Sequence, residues 1–132
     1  MPRAAQFASG GIVAVHRVTV VNTTRGNTIG DSIEVADTSL TRFVGLLGRR
    51  KISAGGGLWI KPSSGVHTLG MLFTIDVVGL DKDRRVAHLW PQLVPFRITA
   101  IKFKVQSVLE LPAGTIAALQ IQTGDAIEMR PN

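Results

Sequence analysis

Apolar and polar positions alternate along much of this chain, and the alternation marks short strands. Val13, Val15, Val18, Val20 and Val21 are the apolar positions of a Val-rich segment running from 13 to 21. β-Branched side chains fit a pleated surface, so this segment predicts a strand. Asn22 to Asn27 reads Asn-Thr-Thr-Arg-Gly-Asn, a turn composition. Ile29, Ile33 and Val35 then predict a second strand, able to pair back as a hairpin. Gly55-Gly56-Gly57 is a flexible connector to Leu58-Trp59-Ile60, a short strand stopped by Pro62 and the Ser63-Ser64-Gly65 turn. Val66 to Asp81 is the densest apolar stretch and predicts the centre of the fold. Asp81-Lys82-Asp83-Arg84 is a tight polar turn, and Val86, His88 and Trp90 alternate beyond it as the return strand of a second hairpin. Ser107 to Leu111 and Ala126 to Met129 complete the strands.

The period changes in two places. Asp37-Thr38-Ser39 offers side-chain oxygens to the unpaired N–H groups of a helix start. Leu40, Phe43, Val44 and Leu47 follow at i, i+3, i+4 and i+7, which puts them on one helix face. Gly48 is a natural stop, and Arg49 and Arg50 sit where the helix dipole is negative. Pro112 to Gln122 reads as a brief second helix, with Pro at its start. Short strands with two short helices, about 38–47 and 113–121, predict a mainly β (α+β) fold. The expected architecture is a single-domain antiparallel β-sandwich or partly open barrel. Residues 1–11 read as a flexible tail and residues 12–132 as the domain.

Composition removes several function classes. The chain has no Cys, so it forms no disulfide, thiolate nucleophile or sulfur-bound metal site. No apolar run approaches the roughly 18–20 residues that span a bilayer. Ala4 to Val15 is mildly apolar, but Gln6, Ser9, Gly10 and Gly11 interrupt it, which argues against a signal peptide and for a cytoplasmic location. The net charge of +6 permits attraction to anions. The charge is dispersed, with Arg49-Arg50-Lys51 its one three-residue run and Arg84-Arg85 and Lys102/Lys104 smaller clusters. Aromatics are 5% with no Tyr, poor material for base stacking, so a solvated basic face is favoured over a nucleic-acid site. No HxH or HExxH spacing, GxGxxG or Walker A sequence is present, so no metal or cofactor is expected.

Several short motifs stand in a distinctive order along the chain. They are Ala36-Asp37, Arg42-x-x-Gly45-Leu46-Leu47-Gly48-Arg49, Gly57-Leu58-Trp59-Ile60 and Val66-His67-Thr68-x-x-Met71. Ile75-Asp76-Val77-Val78-x-Leu80-Asp81, Val108-Leu109-Glu110-Leu111-Pro112-Ala113-Gly114 and Gly124-Asp125 follow. The ordered set, over about 17–129, resembles the bacterial and archaeal family called domain of unknown function 192. The resemblance implies a jelly-roll-like β fold and no enzyme class. Many members carry an aromatic-Met-Lys-Asn-Thr stretch where this chain has His67-Thr68-Leu69-Gly70-Met71. Relatives often place Cys near Ser63, and a cysteine-based role cannot apply here.

Asp76 is the most informative polar residue. It lies inside the apolar run Ile75 to Leu80, and a buried carboxylate without a partner is costly. Arg42, Arg49 and His67 are its candidate partners. A structural tie is the favoured reading, ahead of a general base or ligand-binding acid. His67 and Thr68 follow the Ser-Ser-Gly turn and would form, with Met71, the rim of a pocket. Arg42 and Arg49 would pair with Asp76 or Glu110, or receive an anionic ligand. Glu110 is expected to be solvated or Arg-paired, and Trp59 and Trp90 to belong to the core or its edge. A Ser63/Ser64–His67–Asp76 triad lacks any nucleophile elbow.

Three functions compete. The leading one is a non-catalytic domain binding a small molecule or protein through His67, Thr68, Met71, Asp76, Arg42 and Arg49. The second is a small hydrolase or lyase using Asp76 and His67, which requires hydrogen-bond reach between them. The third is weak nucleic-acid or anion binding through the basic surface.

Overall fold

The computed structural model describes residues 16–37, 51–65, 72–95, 97, 99 and 102–132. The expected tail at 1–11 and the expected helix at 38–47 lie outside the described residues. The strands are β1 (Arg17–Asn22), β2 (Asn27–Ala36), β3 (Gly56–Ile60), β4 (Ile75–Leu80), β5 (Val86–Leu93), β6 (Ser107–Pro112) and β7 (Ile127–Pro131). Among the described residues one helix, α1 (Thr115–Ala118), lies between β6 and β7. The glycines read as a connector are partly strand: Gly56 and Gly57 open β3. A Cβ on Gly57 would stand 2.5 Å from the backbone oxygen of Glu110, so glycine there lets β3 approach β6.

The seven strands form one sheet in the order β5-β4-β6-β3-β2-β1-β7. Both predicted hairpins are present, as β1 with β2 and β4 with β5. β4, the densest apolar strand, is fully buried and lies between β5 and β6. The sheet departs from the expected antiparallel pattern at one pair, because β2 and β3 run parallel. The physical reason is the connection. Residues 37–55 separate these strands, and a link of a dozen or more residues permits the crossover that parallel pairing needs.

The two outer strands of the sheet meet at one end. Arg85 and Ala126 form an antiparallel bridge. Around it the N–H of Val86 donates to the Asp125 carbonyl at 2.9 Å, and that of Gly124 to the Val86 carbonyl at 2.8 Å. The N–H of Ile127 donates to the Arg84 carbonyl at 2.9 Å. The sheet thus curls into the partly open barrel that was one of the two expected architectures.

Successive side chains take opposite faces of a strand, and the two faces bury different clusters. The inner cluster draws on every strand and includes Val20, Ile33, Trp59, Val78, Leu109 and Ile127, with Ile116 of α1 packed among them. The outer cluster draws on β2, β3, β4, β6 and the approach to β6, and includes Ala36, Leu58, Ile75, Val77, Val105 and Val108. Burying such a side chain contributes about 1.5–3 kcal/mol.

The predicted second helix is shorter than 113–121, for a local reason. The N–H of Gln120 donates to the Ala117 carbonyl at 3.2 Å and that of Ile121 to the Ile116 carbonyl at 3.0 Å. Gln120 itself has φ 55. This is a Schellman stop with glutamine in the left-handed position where glycine is usual. Nothing in the residue type announces it.

Candidate functional site

Ile75 and Val77 belong to the outer cluster, so the Asp76 side chain between them turns inward. It is 1% exposed. Its two carboxylate oxygens are both engaged by backbone. Oδ1 accepts the N–H of Gln92 at 2.9 Å, and Oδ2 accepts the N–H of Ile116 at 2.8 Å. Gln92 has φ 55, and the β4–β5 register shifts between Ile75 and Val77, opposite this part of β5. Ile116 is the second residue of α1, whose N-cap position is Gly114 with no side-chain cap. Glycine has no oxygen to offer, so Asp76 supplies the cap from a strand 40 positions away.

Of the six candidate site residues, Asp76 alone is placed. Arg42, Arg49, His67, Thr68 and Met71 lie outside the described residues. Glu110 pairs in register with Val77 and Leu58, on the outer face, and is 4% exposed rather than solvated. Trp59 is buried as expected. Its ring has Lys61 Nζ 4.3 Å and Arg84 Cζ 4.7 Å from its centroid, while its buried Nε1–H has no hydrogen-bond partner among the described residues.

A cleft of about 470 Å3 lies where the Ser-Ser-Gly turn meets the approach to β6, lined by Pro62, Ser63, Ser64, Phe103, Val105 and Gln106. Ser63 Oγ donates to the Gly65 carbonyl at 2.6 Å, away from a nucleophile's role. Phe103 is 97% exposed. Nearby in the fold, His88 packs edge-on against Trp90 with ring centroids 4.4 Å apart. Burial, and then the Lys102 ammonium, hold the His88 imidazolium below its ordinary pKa. Among the described residues no group of three or more His, Asp or Glu is placed to hold a metal ion.

Comparison with known proteins now decides the family. Residues 19–129 match DUF192, described as an uncharacterized ACR. The chain belongs to the DUF192 family. A UPF0127 protein of Thermococcus kodakarensis is 30% identical to this DUF192 chain over 117 residues, covering 85% of the chain and 73% of the relative. A UPF0127 protein of Pyrococcus furiosus is 31% identical over 114 residues, covering 83% and 96%. A crystal structure of a Novosphingobium aromaticivorans protein of unknown function superposes with a TM-score of 0.75 at 25% identity, covering 96% of this chain and 93% of the other.

Sequence reasoning missed one buried polar centre of this DUF192 domain. The sequence marks Asn22 as a turn residue and Asp125 as part of a family motif, yet they are 0% and 3% exposed. Asp125 Oδ2 accepts from Asn22 Nδ2 at 2.9 Å, Arg25 Nε at 2.7 Å and the Gln122 N–H at 3.0 Å, and Oδ1 accepts from Arg25 Nη2 at 3.2 Å. Burial alone would raise its pKa. The bonds from Arg25, Asn22 and Gln122 outweigh burial and hold it below the ordinary carboxylate value. Asn22 and Arg25 are about a hundred positions from Asp125, so no local signal could have joined them. The sequence reading also noted Lys102 and Lys104 without the aromatic ring between them. Among the described residues no helix is long and apolar enough to cross a membrane.

Proposed function

We propose that this DUF192 domain is a non-catalytic binding module for a small molecule or a protein segment. One observation carries the reading. The only acid that the sequence singled out for chemistry is inside the barrel, with each oxygen held by a backbone N–H. A general base needs a reacting proton within reach, whereas this carboxylate has β5 and α1 to hold in place. In this proposal Asp76 supports the wall of a pocket, and His67, Thr68, Met71, Arg42 and Arg49 supply its rim. The domain spans 12–132 and works in the cytoplasm.

A thermal-shift survey of metabolites on the parent, Asp76→Asn and His67→Ala tests it. A ligand that binds only the native state raises its stability by RT ln(1 + [L]/Kd), so weak partners register. The expected result is a compound that stabilises parent and Asp76→Asn alike and is recovered unchanged. A compound that the parent consumes, and that Asp76→Asn or His67→Ala leaves intact while still folded, would overturn the reading in favour of a hydrolase or lyase.

A further inference from the structure

We propose that the cleft between residues 62–64 and 102–106 binds a small organic anion carrying a flat ring, of the class of aryl phosphates, sulfonates and carboxylates. The proposal goes beyond the binding-module reading: it names a second place, apart from the pocket that Asp76 supports, and the ligand class that place takes.

The walls of the cleft exist before any ligand arrives. The Ser63 N–H donates to the Gln106 carbonyl at 2.8 Å, and the Lys102 N–H donates to the Ser64 carbonyl at 3.0 Å. The Val105 N–H closes a turn onto the Lys102 carbonyl at 3.0 Å, and the Gln106 N–H ties that turn to the end of β4 through the Leu80 carbonyl at 2.8 Å. Backbone bonds to a buried strand make a rigid scaffold, and a preformed site loses less freedom on binding. The depression, about 470 Å3, is shallow and open, so a molecule seated in it stays partly in water.

The groups around this cleft are unspent. The side chains of Ser64 and Gln106 make no hydrogen bond among the described residues, although both line the cleft. Lys102 and Lys104 make no ion pair among the described residues. Between those lysines the Phe103 ring is almost wholly in water. Pro62 and Val105 add an apolar floor. A ligand that matches this set needs a ring for Phe103, negative charge for the two ammonium groups, and a polar edge for Ser64 and Gln106.

Charge decides among occupants. A second copy seated here would bring two Lys102–Phe103–Lys104 turns together, four like charges around one contact. A single-stranded nucleic acid uses successive stacking rings, and this cleft has one. Lys102 and Lys104 flank the Phe103 ring in sequence without lining the cleft, and a compact anion on that ring would lie within reach of their long side chains.

Amide chemical shifts of the full chain, titrated with phenyl phosphate, test the proposal. Inorganic phosphate supplies the charge without the ring, and benzyl alcohol the ring without the charge. The expected result is a saturable shift for phenyl phosphate centred on 62–64 and 102–106, with at least tenfold weaker binding of either control. Phe103→Ala and the double variant Lys102→Gln/Lys104→Gln should each weaken phenyl phosphate at least tenfold. Phe103 is exposed, so its removal leaves the melting temperature in place. Shifts elsewhere, equal binding of inorganic phosphate, or unchanged affinity in both variants would overturn the proposal. Phenyl phosphate that stabilises Phe103→Ala as well as the parent would overturn this cleft while leaving the binding-module reading standing. Phe103-dependent pelleting with phosphatidylserine vesicles, without phenyl phosphate binding, would assign the turn to a membrane and overturn it also.

Discussion

The backbone N–H of Ile116 donates to Oδ2 of Asp76 at 2.8 Å, and this contact fastens α1 to the buried strand β4. A helix of one turn has little stability of its own, because nucleation costs more than so few bonds return. Its place in the inner cluster depends on Ile116 packing and on this cap.

Asp76→Asn should therefore lower stability without changing the fold. Asparagine keeps the volume, but one of its two positions becomes an NH2 facing an N–H donor. One charge-assisted bond is lost and a buried donor is left unpaired. The expected cost is about 2–4 kcal/mol, read as a fall in the urea midpoint at constant slope. The amide resonances of Ile116 and Gln92 should move most, since they are the two donors.

Period and turn chemistry made most of this fold legible. β1 with β2 and β4 with β5 were readable because alternation and the polar turns at 23–26 and 81–84 agree. The burial of Asp76 was readable from its apolar neighbours. Its partners were not, because backbone N–H groups carry no residue-type signal, and the sequence pointed instead to charged side chains. The parallel β2–β3 pairing was hidden for a related reason. Direction depends on the path of residues 37–55, which strand composition does not specify. The cleft at 62–64 and 102–106 joins two loops distant in sequence; each was visible by itself, as the Ser63-Ser64-Gly65 turn and the Lys102/Lys104 cluster, but nothing in the sequence joined them.

The stop of α1 gives a stabilising prediction. Gln120 is exposed and holds φ 55, a region that costs a side chain about 1–2 kcal/mol. Gln120→Gly removes that cost and adds some disorder to the unfolded chain. A net gain of about 0.5–1 kcal/mol is expected, visible as a raised urea midpoint. Gly124 provides the reverse test. It has φ 94 with open space at its Cβ position, so Gly124→Ala should lose stability through backbone strain alone.

His88 predicts a pH dependence near neutrality. Burial first, and Lys102 second, lower its pKa in the folded protein. The unfolded chain then takes up the proton first as pH falls. Stability from this residue is full above the unfolded value of about 6.5 and is lost as pH falls from there to the folded value. The urea midpoint should thus decline between about pH 7.5 and the folded pKa, and then level for this group. His88→Gln should remove the step. Lys102→Gln should shrink it, since the smaller of its two causes is gone.

Asp125 predicts a separate acid limb and a place where unfolding begins. Its folded pKa lies below the ordinary 3.8, so the unfolded state again binds the proton more readily. The stabilisation is complete above that ordinary value and disappears as pH falls through it to the folded pKa. Asp125→Asn should cost about 1–3 kcal/mol at neutral pH and give a shallower decline in acid. Arg25→Met should flatten the same limb, because it removes the strongest of the bonds that oppose burial. The same residue's backbone carbonyl holds the Val86 N–H at the seam between β5 and β7. Protonating the side chain releases Arg25 and Asn22 from the turn that carries this bond. Hydrogen exchange corrected for intrinsic rate should show Val86, Gly124 and Ile127 losing protection in acid before the amides of β4 and β6. Uniform loss across all strands would mean that the barrel opens as a whole and that its seam has no separate weakness.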